Sequence, residues 1–219
     1  MKTIVVIPAR GGSKRLPKKN LKLLGGIPLI AHSIQYAKAN RKYIDDIYVS
    51  TNDDEIKETA LKYGVKVIKR PNEISGDLEP TVSAIKHLLT YTNKEVETII
   101  TLQPTNPFRP KNLFKEAYQI YKNGRYESLF TVSKNYKKLG YIKNTKFIPL
   151  NYTIGERSQD IETLFFENGL LYISSRKLIL ENTIFNKNAY PLLVKDNSIY
   201  IDIDTQEDFD YAEYLTTKK

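Results

Sequence analysis

Four stretches of this 219-residue chain carry side chains that can do chemistry. The first is residues 9–20, Ala-Arg-Gly-Gly-Ser-Lys-Arg-Leu-Pro-Lys-Lys-Asn. Gly11 and Gly12 let backbone N–H groups turn toward an anion with no Cβ in the way. Arg10, Lys14 and Lys19 bring charge of the sign a polyphosphate requires. The stretch lacks the Gly-Lys-Ser/Thr ending of a Walker A loop and the GxGxxG of a dinucleotide fold. Spacing alone leaves two readings, a phosphate cradle or a solvated basic loop.

The second stretch is Asp202-Ile203-Asp204. With residues 199–204 read as a strand, the two carboxylates face the same way. Such a pair can seat Mg²⁺, which takes one or two carboxylates plus substrate phosphates. The other reading makes Asp204 part of the start of the final helix. The third stretch, residues 102–109, holds two prolines that stiffen a loop, and Gln103 offers a donor and an acceptor to a sugar or base. A plain strand-to-helix turn is its alternative. The fourth joins Arg157-Ser158-Gln159-Asp160 to Glu167-Asn168-Gly169. Arg157 can grip a carboxylate with two parallel bonds, while Asn168 and Gly169 also read as a simple turn. His32 and His87 both fall within predicted helices, and no nucleophile-elbow motif supports a Ser-His-Asp triad.

These stretches need elements to hold them. Residues 3–8 form a β-branched run suited to a parallel strand buried on both faces. The basic loop follows it directly, and ligands of open α/β sheets bind beyond the carboxyl ends of strands. Further strands are predicted at 44–50, 65–68, 96–102 and 128–133. Helices are predicted at 28–40, 53–63 (Ile56, Ala60 and Leu61 inward, Gly64 as the stop), 81–90 and 110–122. The alternation implies a Rossmann-like, doubly wound, mostly parallel α/β sheet in a single domain over 1–219, with right-handed crossovers. The rhythm breaks over 134–165, which has short strand-like pieces at 140–142 and 146–148 and reads as an inserted arm. A strand at 169–174, a short helix at 176–181 and a strand at 191–194 follow. Strand 199–204 then leads into a helix from Thr205, a natural N-cap, to about residue 215.

The whole chain narrows the classes further. Its composition, 41% hydrophobic and 27% charged, is that of a globular protein. No apolar run approaches the roughly 20 residues of a membrane span, and the N-terminal run is too short for a signal peptide. A cytoplasmic protein is expected, and the absence of cysteine agrees while excluding thiolate zinc sites. The net charge of +9 points to an acidic partner. A basic nucleic-acid-binding module is one class that fits it. That class leaves Asp202 and Asp204 unexplained, since they repel a phosphate backbone.

Taken in order, IPARGGSKRLPKKNL, LQPTNPFRP, FFENGLLYI and IDIDTQEDF resemble the cytidylyltransferases that activate nonulosonic acids, the acylneuraminate (CMP-sialic acid) synthetase family. The resemblance covers essentially the whole chain. The related CMP-Kdo synthetases share the opening strand but depart from GGSKRLPKKN. The resemblance implies transfer of CMP from CTP to a nine-carbon α-keto acid sugar, with release of pyrophosphate. It implies that Ala9, Arg10, Gly12, Ser13, Lys14, Lys19 and Asn20 form the nucleotide loop, with Arg70 in the same pocket. It implies that residues 75–81 read cytosine, largely through backbone groups. Gln103, Arg157, Gln159 and Asn168 fall to the sugar, and Asp202 and Asp204 to Mg²⁺. Arg10, Lys19 and Asp204 are the expected catalytic groups. The arm is expected to cross to a partner in a homodimer, with neither nucleic acid nor membrane as a partner. Two departures stand out. Thr51-Asn52-Asp53 replaces the Thr-Asp of many relatives, and Arg157 opens RSQDIE instead of RQxLP. The second sits at the expected sugar pocket and implies a bacterial sugar such as legionaminic or pseudaminic acid.

Overall fold

A computed structural model describes residues 2–92, 95–194 and 201–218. In chain order it holds β1 (Lys2–Pro8), β2 (Leu23–Leu24), β3 (Ile27–Pro28), α1 (Leu29–Ala39), β4 (Asp46–Thr51), α2 (Asp54–Lys62), β5 (Lys66–Lys69) and α3 (Thr81–Leu89). Then come β6 (Val96–Thr101), α4 (Leu113–Gly124), β7 (Ser128–Asn135), β8 (Gly140–Lys143), β9 (Lys146–Pro149), β10 (Leu164–Ser175), α5 (Arg176–Leu180), β11 (Tyr190–Leu193) and α6 (Gln206–Thr216). The main sheet runs β11-β7-β10-β6-β1-β4-β5. β10 pairs antiparallel with both neighbours, and the other main-sheet pairings are parallel. The expected doubly wound α/β sheet is therefore present, with one reversed strand inserted between β6 and β7.

Two apolar layers hold it. Alternate residues of β1 go to opposite faces, as the period of two dictates. Val5 and Ile7 meet Ile30, Ile34 and Ala37 of α1, Ile56 and Ala60 of α2, and Phe114 of α4. Ile4 and Val6 meet Val82, Ile85 and Leu88 of α3 and Ile179 of α5. Burying each large aliphatic chain contributes roughly 1.5–3 kcal/mol, so this strand anchors the loop that follows it. A third, smaller cluster joins Leu16 of that loop to Leu24, Phe108, Ile203 and Phe209 of α6. It brings the two ends of the chain together.

Three expectations need correction. Leu61 was placed inward but lies 52% exposed, because the buried stripe of α2 consists of Ile56 and Ala60 alone. The strand expected at 199–204 lies partly outside the described residues, and residues 201–204 are not in a sheet ladder. Their backbone is tied instead by Ile203 N–H donating to the Thr105 carbonyl at 2.9 Å. The arm is shorter than 134–165, since β7 continues to Asn135 and β10 begins at Leu164. Between them β8 and β9 pair antiparallel as a separate two-stranded sheet.

Candidate functional site

The loop after β1 is fixed by contacts that its residue types dictate. Ala9 is buried in the core, and its N–H donates to the Ser50 carbonyl at 2.9 Å. Gly11 N–H donates to the Asn52 side chain at 3.1 Å, and a Cβ on Gly11 would lie 2.5 Å from Asp53 Oδ2. Only glycine fits that approach without displacing Asp53, whose other oxygen caps α2 by accepting from Ile56 N–H at 2.9 Å. Gly12 has open space around it. Asn20 is 7% exposed and donates to the Arg10 carbonyl at 3.0 Å, closing the loop on itself.

Seven of the expected site residues line one cavity of about 290 Å³: Arg10, Lys19, Asn20, Arg70, Gln103, Asp202 and Asp204. It opens beyond the carboxyl ends of β1, β5 and β6. Lys19 Nζ donates to the Ile203 carbonyl at 2.8 Å and to Asp204 Oδ1 at 2.9 Å. Its side chain is only 11% exposed. Arg15 Nη2 meets the other Asp204 oxygen at 2.7 Å. Arg70 is buried, and its Nε and Nη2 have no hydrogen-bond partner among the described residues. Burial, and then the positive charge of Arg10, hold its guanidinium down at about 10. A buried cation with open donors beside a second arginine has the charge and the donors to take an anion.

Asp202 and Asp204 alternate with buried Ile201 and Ile203, so both face the cavity although no ladder holds them. Asp202 keeps surface open to the cavity, yet its carboxyl is pushed above the usual range, first by the surrounding protein and further by Asp204. Asn106 Nδ2 donates to it at 3.4 Å. Two carboxylates, one of them electrostatically strained, fit a divalent oxygen-seeking cation.

The remaining expected residues lie elsewhere. Ser13 is half-buried in the loop, and its N–H donates to the Gly11 carbonyl. Lys14 reaches out of the cavity to Asp77. Asn168 is buried in a closed network. Its Oδ1 accepts from Thr131 Oγ1 at 2.6 Å and Leu170 N–H at 3.1 Å, and its Nδ2 donates to Ser133 Oγ at 2.9 Å. Arg157 and Gln159 are exposed on the arm, where Arg157 pairs with Asp160 at 2.6 Å.

Sequence reasoning missed several groups. Arg109 lies behind the cavity, donating to the Gln103 carbonyl at 2.6 Å, the Leu170 carbonyl at 2.6 Å and Ser33 Oγ at 3.0 Å. It locks the Gln103 loop to β10, and burial holds its guanidinium down at about 10. Gly169 has φ +70°, and a Cβ there would lie 3.0 Å from Gln103 Oε1. The Asn-Gly pair thus seats Gln103 from behind. A second cavity adjoins the first, sharing Thr81 and Gln103 and extending to Glu167, Tyr172, Thr183 and Phe185. No spacing rule links these residues in sequence.

Comparisons with known proteins identify the family. The model of a family described as cytidylyltransferase matches residues 4–219. The chain is 32% identical to a pseudaminic acid cytidylyltransferase of Campylobacter jejuni, covering 98% of this chain and 96% of that protein. It is 35% identical to a CMP-N,N'-diacetyllegionaminic acid synthase of Legionella pneumophila, with the same coverage. A solved CMP:2-keto-3-deoxy-manno-octonic acid synthetase complexed with CTP shares the fold at TM-score 0.71 and 17% identity, over 100% of this chain and 99% of that one. A match that spans residues 4–219, with relatives at 32% and 35% identity over nearly the whole of both chains, shows that the chain belongs to the cytidylyltransferase family.

Proposed function

We propose that this chain transfers CMP from CTP to the anomeric hydroxyl of a nonulosonic acid of the legionaminic or pseudaminic type, releasing pyrophosphate. The observation that carries the reading is the junction of Lys19 with Asp204 at 2.9 Å, which joins a polyphosphate loop to an aspartate pair across 185 positions. The relatives' names supply the sugar class.

In this reading the triphosphate lies along Arg10, Lys14 and Lys19, with Arg70 supplying open donors. The sugar hydroxyl oxygen forms a bond to the α-phosphorus as the bond to the β-phosphate oxygen breaks. Pyrophosphate leaves, and the hydroxyl proton passes to water. Charge grows on the departing pyrophosphate, where fixed cations are worth most. Lys19 is the best placed of them, since its neighbours hold it still. Asp202 and Asp204 would hold Mg²⁺. When bound, that ion neutralises phosphate charge and lowers the pKa of a coordinated hydroxyl. Gln103, fixed by Arg109 and Gly169, faces the boundary between the two cavities. The second cavity, with Tyr172 and Phe185 for apolar groups and Glu167 for hydroxyls, is suited to the acceptor.

The arm supports a homodimer. Its hairpin exposes Tyr141, Ile142 and Phe147, and the chain beyond it exposes Leu150 and Ile154. Such a patch favours cover by a second copy, which would carry Arg157 and Gln159 toward that copy's acceptor cavity.

The test is pyrophosphate release with Mg²⁺, each of the four NTPs and a panel of nonulosonic acids and Kdo. Turnover is expected with CTP and a nonulosonic acid. Silence with every pair would sink the reading, and turnover with Kdo alone would move the chain to the neighbouring substrate class. Steep salt-dependent binding of oligonucleotides without turnover would favour a nucleic-acid module.

A further inference from the structure

One acidic side chain beside the cavity has no assigned part in the proposed reaction: Asp77 lies in the segment expected to read cytosine through its backbone, and its carboxylate faces the cationic loop instead. Residues 76–80 are all exposed, Leu78 at 98%. Three polar contacts hold this segment against the cationic loop. Arg10 Nη1 donates to the Gly76 carbonyl at 2.6 Å, Arg10 Nη2 meets one Asp77 oxygen at 2.8 Å, and Lys14 Nζ meets the other at 2.7 Å. Asp77 thus gives both carboxylate oxygens to two cations that the triphosphate is expected to take. A polyphosphate offers more charge and more acceptor oxygens than one carboxylate, so it can outbid Asp77 for the same donors.

We infer that Asp77 is a built-in competitor for the leaving group: it holds Arg10 and Lys14 in the nucleotide-free enzyme, yields them to the phosphates of CTP, and reclaims them as pyrophosphate departs. The inference rests on the reading that Arg10 and Lys14 receive the β- and γ-phosphates.

The contrast with the other carboxylate–cation junction supports a reversible exchange. Lys19 is 11% exposed and is held by a backbone carbonyl as well as Asp204. Lys14 is 85% exposed, and the Arg10 and Asp77 side chains are each about one-third exposed. Pairs as open as these are weak and exchange readily. Asp77 is also borne on a segment with no buried residue between Gly76 and Pro80, so withdrawing it exposes no core. A carboxylate left beside bound phosphate would repel it, which favours displacement over accommodation.

The competitor acts only on ligands that reach both cations. Asp77→Asn is therefore expected to tighten binding of CTP and of inorganic pyrophosphate roughly three- to ten-fold, and to leave CMP within about two-fold. Binding is read by calorimetry at fixed ionic strength and magnesium. Asp54→Asn is the charge control, because Asp54 pairs with Lys69 outside the cavity and loses the same unit of charge. In turnover, the Asp77→Asn enzyme is expected to be inhibited by lower added pyrophosphate. Equal effects from Asp77→Asn and Asp54→Asn would overturn the inference. So would weaker pyrophosphate binding in Asp77→Asn, which would make Asp77 a group that orients the cations. Wild-type protein is measured first; if it binds neither CTP nor pyrophosphate, the underlying reading fails before any variant is made.

Discussion

The cavity and the arm hold charged side chains in opposite ways. In the cavity, Lys19 is fixed by partners 184 and 185 positions away, and Arg109 locks Gln103 from behind. On the arm, Arg157 answers to Asp160, three residues away, with its side chain 76% exposed. Long-range contacts make the first region a set of preoriented donors, which is what stabilising charge in a transition state requires. Local contacts leave the second region dependent on whatever covers it. In the proposed reading the difference separates chemistry from selection: the cavity would handle phosphate, and the arm would be completed by a second copy.

The comparison is broken most directly at Lys19. Lys19→Ala removes a preoriented cation from the leaving group and is expected to lower kcat roughly 10²–10³-fold. The CTP dissociation constant should move much less. Single-turnover kinetics beside calorimetric binding would show it, and an unchanged chemical step would remove Lys19 from the mechanism. Asp204→Asn comes next. It weakens both cation pairs and takes away one carboxylate of the proposed metal seat. The magnesium titration of turnover should shift by about ten-fold or more, and an unaltered midpoint would refute the seat.

The sequence made the fold and the basic loop legible for a physical reason. β1 is a run of β-branched residues buried on both faces, and the loop behind it concentrates five lysines and arginines around two glycines. Both signals are local. The Asp202–Asp204 alternation was legible too, although residues 201–204 lie in no ladder and the Thr105 carbonyl holds Ile203 instead. What could not be read was contact between distant segments. Asp77 sits in an unpatterned polar loop, and nothing in its neighbours' spacing places it on Arg10. Glu167, Tyr172 and Phe185 converge only once β10 is reversed between β6 and β7. Leu61 was misplaced because an apolar residue on the flank of a short helix satisfies the periodicity without reaching the core.

A smaller effect probes the boundary between the two regions. Asn168 was expected to touch the sugar, yet its amide bonds Thr131, Ser133 and Leu170 N–H in the core. Asn168→Ala leaves those buried partners unsatisfied and is expected to cost about 1–3 kcal/mol of stability. Chemical denaturation measures this directly. The sugar KM should change only as far as Gln103 is unseated. A large KM effect at unchanged stability would return Asn168 to the substrate.

Arg157→Ala gives the smallest effect on the isolated subunit and for that reason sharpens the comparison most. Its ion pair with Asp160 is solvent-exposed, so removing it should change stability by no more than about 0.5 kcal/mol. The CTP dissociation constant should not move, because Arg157 does not line the nucleotide cavity. If the arm delivers Arg157 to a second copy's acceptor cavity, the sugar KM rises while both other quantities stay fixed. That combination, a silent folding change with a selective acceptor defect, cannot arise from damage within one subunit. Ile142→Asp then gives the matching control. A charge on the exposed hairpin should disrupt the proposed dimer and reproduce the acceptor defect with Arg157 intact, and monomeric enzyme with normal sugar affinity would confine Arg157 to the surface of its own arm.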